Sequence, residues 1–409
     1  MMKPMSDAIV VGGGPAGSFA ALNLARMGAE VTVFEEHSAV GSPSHCPGHL
    51  SIRSLRNLGL YPLPGKIVEN TFSMANFYSP TGTKLSVRLA RPVTCAVNRV
   101  FFDRYLAEKA EAAGVSYCLS SRVRSLLIDN GFVKGANVER KDAGEERVSA
   151  KIVVDAEGIS SRLLRQTGLS TLNRDGLVYG VEAEVENIKN VELDAVEVFL
   201  GKNYAPGFYA WLMPRLDGTA KVGLATKTGN PKEFLQRLML KHPVASKQLV
   251  KAKITRMKFH PLSLGGPIAK AYSDGFLAVG DAASQVKPTT GGGVIFGLTC
   301  ARIAAQVASD AIRRNDVSSN CLQLYQKRCK DTLGFDFSAM LRMRRFLDAL
   351  SDERVDKALQ FCAKLGLDKT LQDVEEIDFQ GQTLLKVMKK PAAFAASAYF
   401  LLLYLFANP

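Results

Sequence analysis

Apolar positions along the chain follow two rhythms. Short unbroken apolar runs, Ala8–Val11 and Ile152–Val154, suit strands covered on both faces, as in a parallel sheet. Gly275–Gly280 reads as another buried strand. Period-two or apolar runs at Val178–Val185, Ala195–Leu200, Phe208–Met213 and Ala220–Ala225, with turns between, predict an antiparallel sheet. Residues 70–95 alternate weakly around a Pro80-Thr81-Gly82 turn and suggest further antiparallel strands. Val115–Leu119, Val123–Ile128, Val133–Arg140 and Val148–Val154 read as strands, with a hairpin at Asn130-Gly131 and a turn at Asp142-Ala143-Gly144. Helical spacing predicts helices to about Met27, over Ser51–Leu58, from the capping Asn98 to about Ala113, over Pro231–His242 and from Gly293 to about Ile312. From Asn320 the chain reads as helical to a final apolar run, Pro391–Phe406.

The first strand runs into Gly12-Gly13-Gly14-Pro15-Ala16-Gly17, then a helix, then a second strand ending in Glu35, 18 residues after Gly17. Gly12 allows a tight turn, Gly14 a close approach of backbone to a pyrophosphate, and Gly17 close packing of helix on strand. The helix N-terminus offers free N–H groups to phosphate, and Glu35 a carboxylate to ribose hydroxyls. Strand, glycines, helix, second strand and acid together predict a dinucleotide site. A second stretch has the same logic: Gly280-Asp281, then Gly291-Gly292-Gly293 opening a long helix. A helix N-terminus there would stabilise the anion of a reduced flavin, with Asp281 bonding a ribityl hydroxyl. Arg99 and Asp103 can reach phosphate or form an ordinary surface pair. The turn Asp155–Arg162 can brace phosphates or simply end a strand.

Composition narrows the partners. The 409 residues imply two intimately joined domains, or one plus additions, and 47% hydrophobic content supports a large core. A net charge of +13 favours an anionic partner: a phosphorylated substrate, an acidic lipid surface or an acidic protein. No recognition motif or basic–aromatic cluster points to nucleic acid. Seven cysteines, at 46, 95, 118, 300, 321, 329 and 362, show no CxxC and predict a reducing compartment. The fold is expected to start within eight residues, without a signal peptide. His45, Cys46 and His49 have no further ligand cluster near them in sequence, so no metal is expected. The final apolar run, fifteen or so residues, is short of the ~20 that span a bilayer. It reads as a core or interfacial helix, which Lys386, Lys389 and Lys390 could dock on anionic lipid.

Gly12–Gly17 with Glu35, Asn98-Arg99 through Asp103, Glu157-Gly158 and Gly280–Ala283 resemble the FAD-binding set of the aromatic-hydroxylase-like flavoproteins. More narrowly, Cys46-Pro47-Gly48, Pro206–Pro214 and Gly280–Gly293 resemble the geranylgeranyl reductase family, over roughly residues 5 to 350. The archaeal members that saturate digeranylgeranylglycerophospholipids are similar in size and layout. The resemblance implies an α/β fold: a Rossmann-like FAD-binding domain, an interleaved antiparallel-sheet substrate domain and a helical C-terminal region. The expected boundaries are 5–70, 96–170 and 265–315 for FAD, 71–95 and 171–264 for substrate, and 316–409 for the helices.

The resemblance also implies FAD contacts at Gly12, Gly14, Ala16, Gly17, Glu35, Cys46, Pro47, Arg99, Val123, Asp281, Gly292, Gly293 and Val294. A prenyl tunnel would be walled by the antiparallel sheet, with Tyr209 and Trp211 near the reacting double bond. Met213 stands where the family has phenylalanine, and Glu157-Gly158 where the wider superfamily has Asp-Gly. The implied reaction is hydride from reduced flavin N5 plus a proton, the proton source being Cys46, a tyrosine such as Tyr209, or water. A gating or an inert role for Cys46 stays open beside the acid role. The substrate would be a prenylated glycerophospholipid or geranylgeranyl diphosphate. A single GxGxxG leaves the electron donor as ferredoxin or transiently bound NAD(P)H. The expected location is cytoplasmic, in peripheral contact with the membrane. Two alternatives are an FAD monooxygenase or epoxidase of an apolar substrate and a non-catalytic prenyl-lipid carrier.

Overall fold

Strand Ser6–Val11 is apolar on both faces because both faces are covered: Ala8, Ile9 and Val10 are fully buried. It runs parallel to Val31–Phe34 on one side and to Gly144–Asp155 on the other, with Val11 level with Phe34 and Asp155. These relations come from a computed structural model that describes residues 6–405 except 142 and 373. Asp142 of the expected turn and Phe406 of the final apolar run therefore lie outside the described residues.

The chain divides into two units, the first formed by residues up to Ser44 with Arg99–Gly176 and Ser263–Phe337. Its sheet runs in the order Tyr272–Ser273, Phe276–Ala278, Gly144–Asp155, Ser6–Val11, Val31–Phe34, Ser116–Cys118. Ser121–Asp129 and Phe132–Arg140 extend it as an antiparallel meander from Gly144–Asp155. Asn130 and Gly131 both take positive φ, as the tight hairpin turn between those strands requires. Helices Pro15–Arg26, Arg99–Glu111 and Val294–Arg314 pack together in this unit. Val294–Arg314 has the length and apolarity to cross a bilayer, but 78% of its most apolar stretch is buried. It is a core helix of the first unit.

The second unit comprises His45–Asn98, Leu177–Leu262 and the chain from Ser338. Its main sheet has seven strands, in the order Lys253–Ser263, Leu177–Glu186, Ala220–Thr226, Ala210–Pro214, Ala195–Phe199, Met74–Tyr78, Lys84–Arg88. The expectation of a purely antiparallel sheet needs one correction. Met74–Tyr78 runs parallel to Ala195–Phe199, because a crossover rather than a hairpin joins them. One face of the sheet, including Val181, Phe199, Leu212, Val222 and Leu224, packs under Leu235, Leu238, Ala245 and Leu249 of two helices. A smaller sheet joins His49–Ser51, Thr94–Val97 and Val68–Phe72. That pairing draws residues 45–70 and 96–98 into the second unit, away from the expected FAD segment. Similarly, 316–337 belongs with the first unit, so the division falls inside the helix Ser319–Ala349.

Strand Lys253–Ser263 stands in a stretch for which the pattern predicts no element. In the final helix, Pro391–Leu405, Ala393 and Ala396 are buried against Cys362 and Leu367 while Phe394 is exposed. One side of that helix is thus covered by protein.

Candidate functional site

In the first unit the glycine turn is shaped by contacts that leave no room for side chains. Gly12 has φ +95°, and a Cβ there would lie 2.5 Å from the Ala156 carbonyl oxygen. A Cβ on Gly17 would lie 2.0 Å from the Gly12 carbonyl oxygen, so helix Pro15–Arg26 sits directly on the turn. Gly14 differs: nothing lies within 4 Å of its Cβ position. It is also the helix N-cap, and as a glycine it has no side chain with which to cap the first-turn N–H groups. Glu35 is buried, with Oε2 accepting from Gly13 N–H at 2.7 Å and Oε1 from His37 N–H at 2.9 Å. It lines a cavity of about 220 Å³ together with Gly12, Gly14, Val123, Ala156 and Glu157 among others.

The Arg99–Asp103 pair is buried rather than a surface pair. Nε and Nη2 donate to the two carboxylate oxygens at 2.8 and 2.9 Å, a bidentate arrangement. Burial pushes the Asp103 carboxyl up and Arg99 opposes the shift. Burial raises Asp281 as well, and Arg99 again opposes. A Cβ on Gly293 would lie 2.8 Å from Asp281 Oδ1, which draws Asp281, Gly293 and Val294 together. Gly293 is the N-cap of helix Val294–Arg314 and, as a glycine, has no side chain with which to cap it. Beside it, a Cβ on Gly292 would meet Lys287 Cε at 2.8 Å. The methyl of Ala16 lies against Gly280 and Gly297, so its side chain packs one helix on the other. At the end of its strand, Asp155 is fully buried, with Oδ1 accepting from Glu157 N–H and Oδ2 unpaired. Glu157 caps Leu163 N–H at 2.7 Å.

The second unit presents the other face of its seven-stranded sheet. Trp211 stands opposite Gly223, and Gly223 opposite Glu182; in the next row Met213 stands opposite Lys221, and Lys221 opposite Glu184. Met213 packs with Phe72, Ala96 and Val196, and Trp211 leans on that cluster. Tyr209 precedes the strand, which begins at Ala210 rather than 208, and its ring centroid is 6.0 Å from that of Trp211. Burial pushes the Tyr209 phenol above its ordinary range. Lys221 is 4% exposed; its Nζ donates to Pro47 O at 2.8 Å, Val97 O at 3.3 Å and Glu69 Oε2 at 2.5 Å. Because Val97 N–H also bonds the Gly48 carbonyl, this lysine pins the Cys46-Pro47-Gly48 loop beside the sheet face. Cys46 is a half-buried free thiol. His45 stacks on His260 and His49 packs edge-on against Phe72, so these rings turn to other partners.

Of the expected residues, Gly12, Gly14, Ala16, Gly17, Glu35 and Val123 gather about one turn. Arg99, Asp281, Gly293 and Val294 gather about a second helix start in the same unit. Cys46, Pro47, Tyr209, Trp211 and Met213 all lie in the second unit. The residues present fit FAD: two helices whose N-caps are glycine, open space at Gly14 and an acid lining the cavity.

A family model described as an FAD binding domain matches residues 5–331. Among curated relatives, digeranylgeranylglycerophospholipid reductase 2 of Methanopyrus kandleri is 33% identical over 94% of this chain and 95% of its own. The digeranylgeranylglycerophospholipid reductase of Methanocaldococcus jannaschii is 33% identical over 87% of this chain and 90% of its own. The chain belongs to the geranylgeranyl reductase family of FAD-binding flavoproteins. A solved structure of a geranylgeranyl bacteriochlorophyll reductase-like protein from Thermoplasma acidophilum superposes with a TM-score of 0.86 at 27% identity, covering 97% of this chain and 99% of that one. A flavin-dependent brominase superposes with a TM-score of 0.71 at 18% identity, covering 95% of this chain and 100% of that one, a likeness of fold alone.

Glu182 and Lys221 were missed in the sequence. Each sits at the polar position of an alternating strand, where period-two reading expects solvent.

Proposed function

We infer that this reductase-family chain uses FAD to saturate C=C bonds of geranylgeranyl groups. The observation that carries the reading is the match over 94% of the chain to a reductase named for a digeranylgeranyl lipid. The open cradle at Gly14 supports it, since a carrier without flavin has no use for a phosphate turn. In this reading Gly12, Gly14, Ala16, Gly17, Glu35, Cys46, Pro47, Arg99, Val123, Asp281, Gly292, Gly293 and Val294 contact FAD. Tyr209, Trp211 and Met213 contact the prenyl chain.

Bound FAD supplies hydride chemistry that no side chain has. The protein does the rest. N–H groups at the start of Pro15–Arg26 would hold the pyrophosphate, and Glu35 would take the ribose hydroxyls. The N-terminus of Val294–Arg314 would favour negative charge on the bound cofactor. The face carrying Trp211 and Met213 excludes water and orients an apolar chain.

The substrate is a digeranylgeranylglycerophospholipid or geranylgeranyl diphosphate, with electrons from ferredoxin or NAD(P)H. The charge of +13 suits an acidic donor protein and an anionic membrane alike. Between Phe234 and Ser273 there are eight basic residues and no acidic one, and Leu240 and Val250 are exposed there. With Lys386, Lys389 and Lys390, this supports a cytoplasmic protein in peripheral contact with anionic lipid.

The test is product mass. Anaerobic incubation of the FAD-loaded protein with dithionite and a digeranylgeranyl glycerophospholipid should add two hydrogens per bond reduced. A product formed only in air, heavier by oxygen, would establish the monooxygenase alternative instead. Protein that takes up no flavin on reconstitution would establish the carrier.

A further inference from the structure

In the second unit, helix Pro231–Lys241 and the short helix Ala245–Leu249 cover one face of the seven-stranded sheet. Leu235 and Leu238 are buried against that sheet. Leu240 stands about 200° round the helix from Leu238, so it points away from the sheet, and it is 76% exposed. Val250 follows the buried Leu249 and is 68% exposed. Leu240 and Val250 line one open groove of about 580 Å³, together with Met239, Ser246, Lys247, Leu249 and Ala252.

A single exposed leucine is ordinary. This apolar pair comes with charges of one sign. Lys241 follows Leu240, Lys247 lines the groove, Lys251 follows Val250 and Lys253 opens the next strand, and all four are exposed. Among the described residues none of the four is in an ion pair. At the chain's average composition a stretch as long as Phe234–Ser273 would carry about four acids, and it has none. The acids nearest in the fold are Glu233, two turns back on the helix, and Glu186, whose strand leads to a loop where Lys189 N–H bonds the Gln248 carbonyl at 2.9 Å. That loop adds an exposed lysine of its own.

Charged side chains also guard an edge strand, which accounts for Lys253. Edge protection does not account for Lys241 and Lys247 on the helices, nor for Leu240 and Val250. A protein partner would favour aromatic residues and arginine, and lysine is depleted at such interfaces. Aliphatic tips among flexible lysines suit a lipid headgroup layer, where long stems lie along apolar surface and ammonium groups reach phosphate.

We propose that this corner of the second unit is the surface by which the protein docks on an anionic bilayer. Leu240 and Val250 enter the boundary between headgroups and chains, and Lys241, Lys247, Lys251 and Lys253 hold the phosphates. This deepens the reading of peripheral contact with anionic lipid and rests on it.

The test is flotation of the FAD-loaded protein with vesicles of phosphatidylglycerol and phosphatidylcholine mixed equally, beside vesicles of phosphatidylcholine alone. Flavin content and melting temperature report folding of each variant. Wild type should bind the anionic vesicles and lose that preference in about 1 M salt, where screening is nearly complete. Lys247→Gln/Lys251→Gln/Lys253→Gln should bind about 100-fold more weakly, the product of three lysine contributions. Leu240→Ser/Val250→Ser should bind about tenfold more weakly, through lost insertion. Both variants within about threefold of wild type, less than the share of one lysine, overturn this surface while leaving the membrane contact. Wild type that floats with neither vesicle overturns the contact and this surface with it. A lysine variant that keeps its vesicles but loses an acidic ferredoxin that wild type binds assigns the surface to a protein and overturns the proposal. Flotation needs no turnover, so a failed reductase reading would leave its result standing.

Discussion

Gly14 and Gly17 are three residues apart and are glycine for different reasons. Gly17 is glycine because the Gly12 carbonyl leaves a Cβ only 2.0 Å. Gly14 is glycine with nothing around it, so the constraint there comes from what binds. Gly17→Ala should therefore cost about 1–3 kcal/mol of folding free energy, the range for forced overpacking, and lose flavin as well. Gly14→Ala should cost under about 1 kcal/mol, the scale of a helix-cap change, yet weaken FAD binding. Thermal melts of the apoprotein beside flavin titrations separate the two. At Lys221 the expectation is structural. Lys221→Met leaves Glu69 buried with Arg215 as its remaining cation and frees the Pro47 carbonyl. Breaking a buried pair of this kind costs about 3–5 kcal/mol. Urea unfolding should show that loss, with part of it restored in Lys221→Met/Glu69→Gln.

Elements were legible wherever one face of a strand or helix meets solvent or core in a regular rhythm. The strand–glycine–helix–strand opening follows its pattern because each strand position there is covered on both sides. Strand Lys253–Ser263 escaped because it is an edge strand, with Lys253–Arg256 exposed in succession, so no alternation marks it. Glu182, Glu184 and Lys221 escaped for the opposite reason: their alternation is regular, but the polar face they mark is turned inward. Burial of a charge depends on partners far along the chain, such as Glu69 for Lys221, which periodicity does not register.

His242 shows how one residue joins elements. It is fully buried at the C-cap of Pro231–Lys241; Nδ1 accepts from Val244 and Ala245 N–H at 3.2 Å, so Nε2–H donates to Ser79 O at 3.0 Å. Burial holds its pKa below the ordinary 6.5, opposed by the Ser79 bond. The folded state thus prefers the neutral ring, while the unfolded chain takes up a proton near pH 6.5. Stability from this group is full above that pH and falls as pH drops from 6.5 toward the folded pKa. His242→Gln should be less stable at pH 8 but show a flatter fall in melting temperature between pH 7 and 5, measured by calorimetry.

At the scale of the molecule, three separated stretches of chain build each unit. Residues 45–70 were expected within the FAD-binding segment, yet their strand pairs with Thr94–Val97 of the second unit. Long-range pairing of this kind decides unit membership, and local pattern carries no record of it. In the proposed reaction a flavin held by the first unit's glycine cradle gives its electrons to a prenyl double bond. The most direct measurement is the visible spectrum of the FAD-loaded protein, bleached by stoichiometric dithionite under argon and then titrated with a digeranylgeranyl glycerophospholipid. The oxidised flavin bands should return on adding lipid, one flavin for each bond saturated. A spectrum that stays bleached until air is admitted would contradict it.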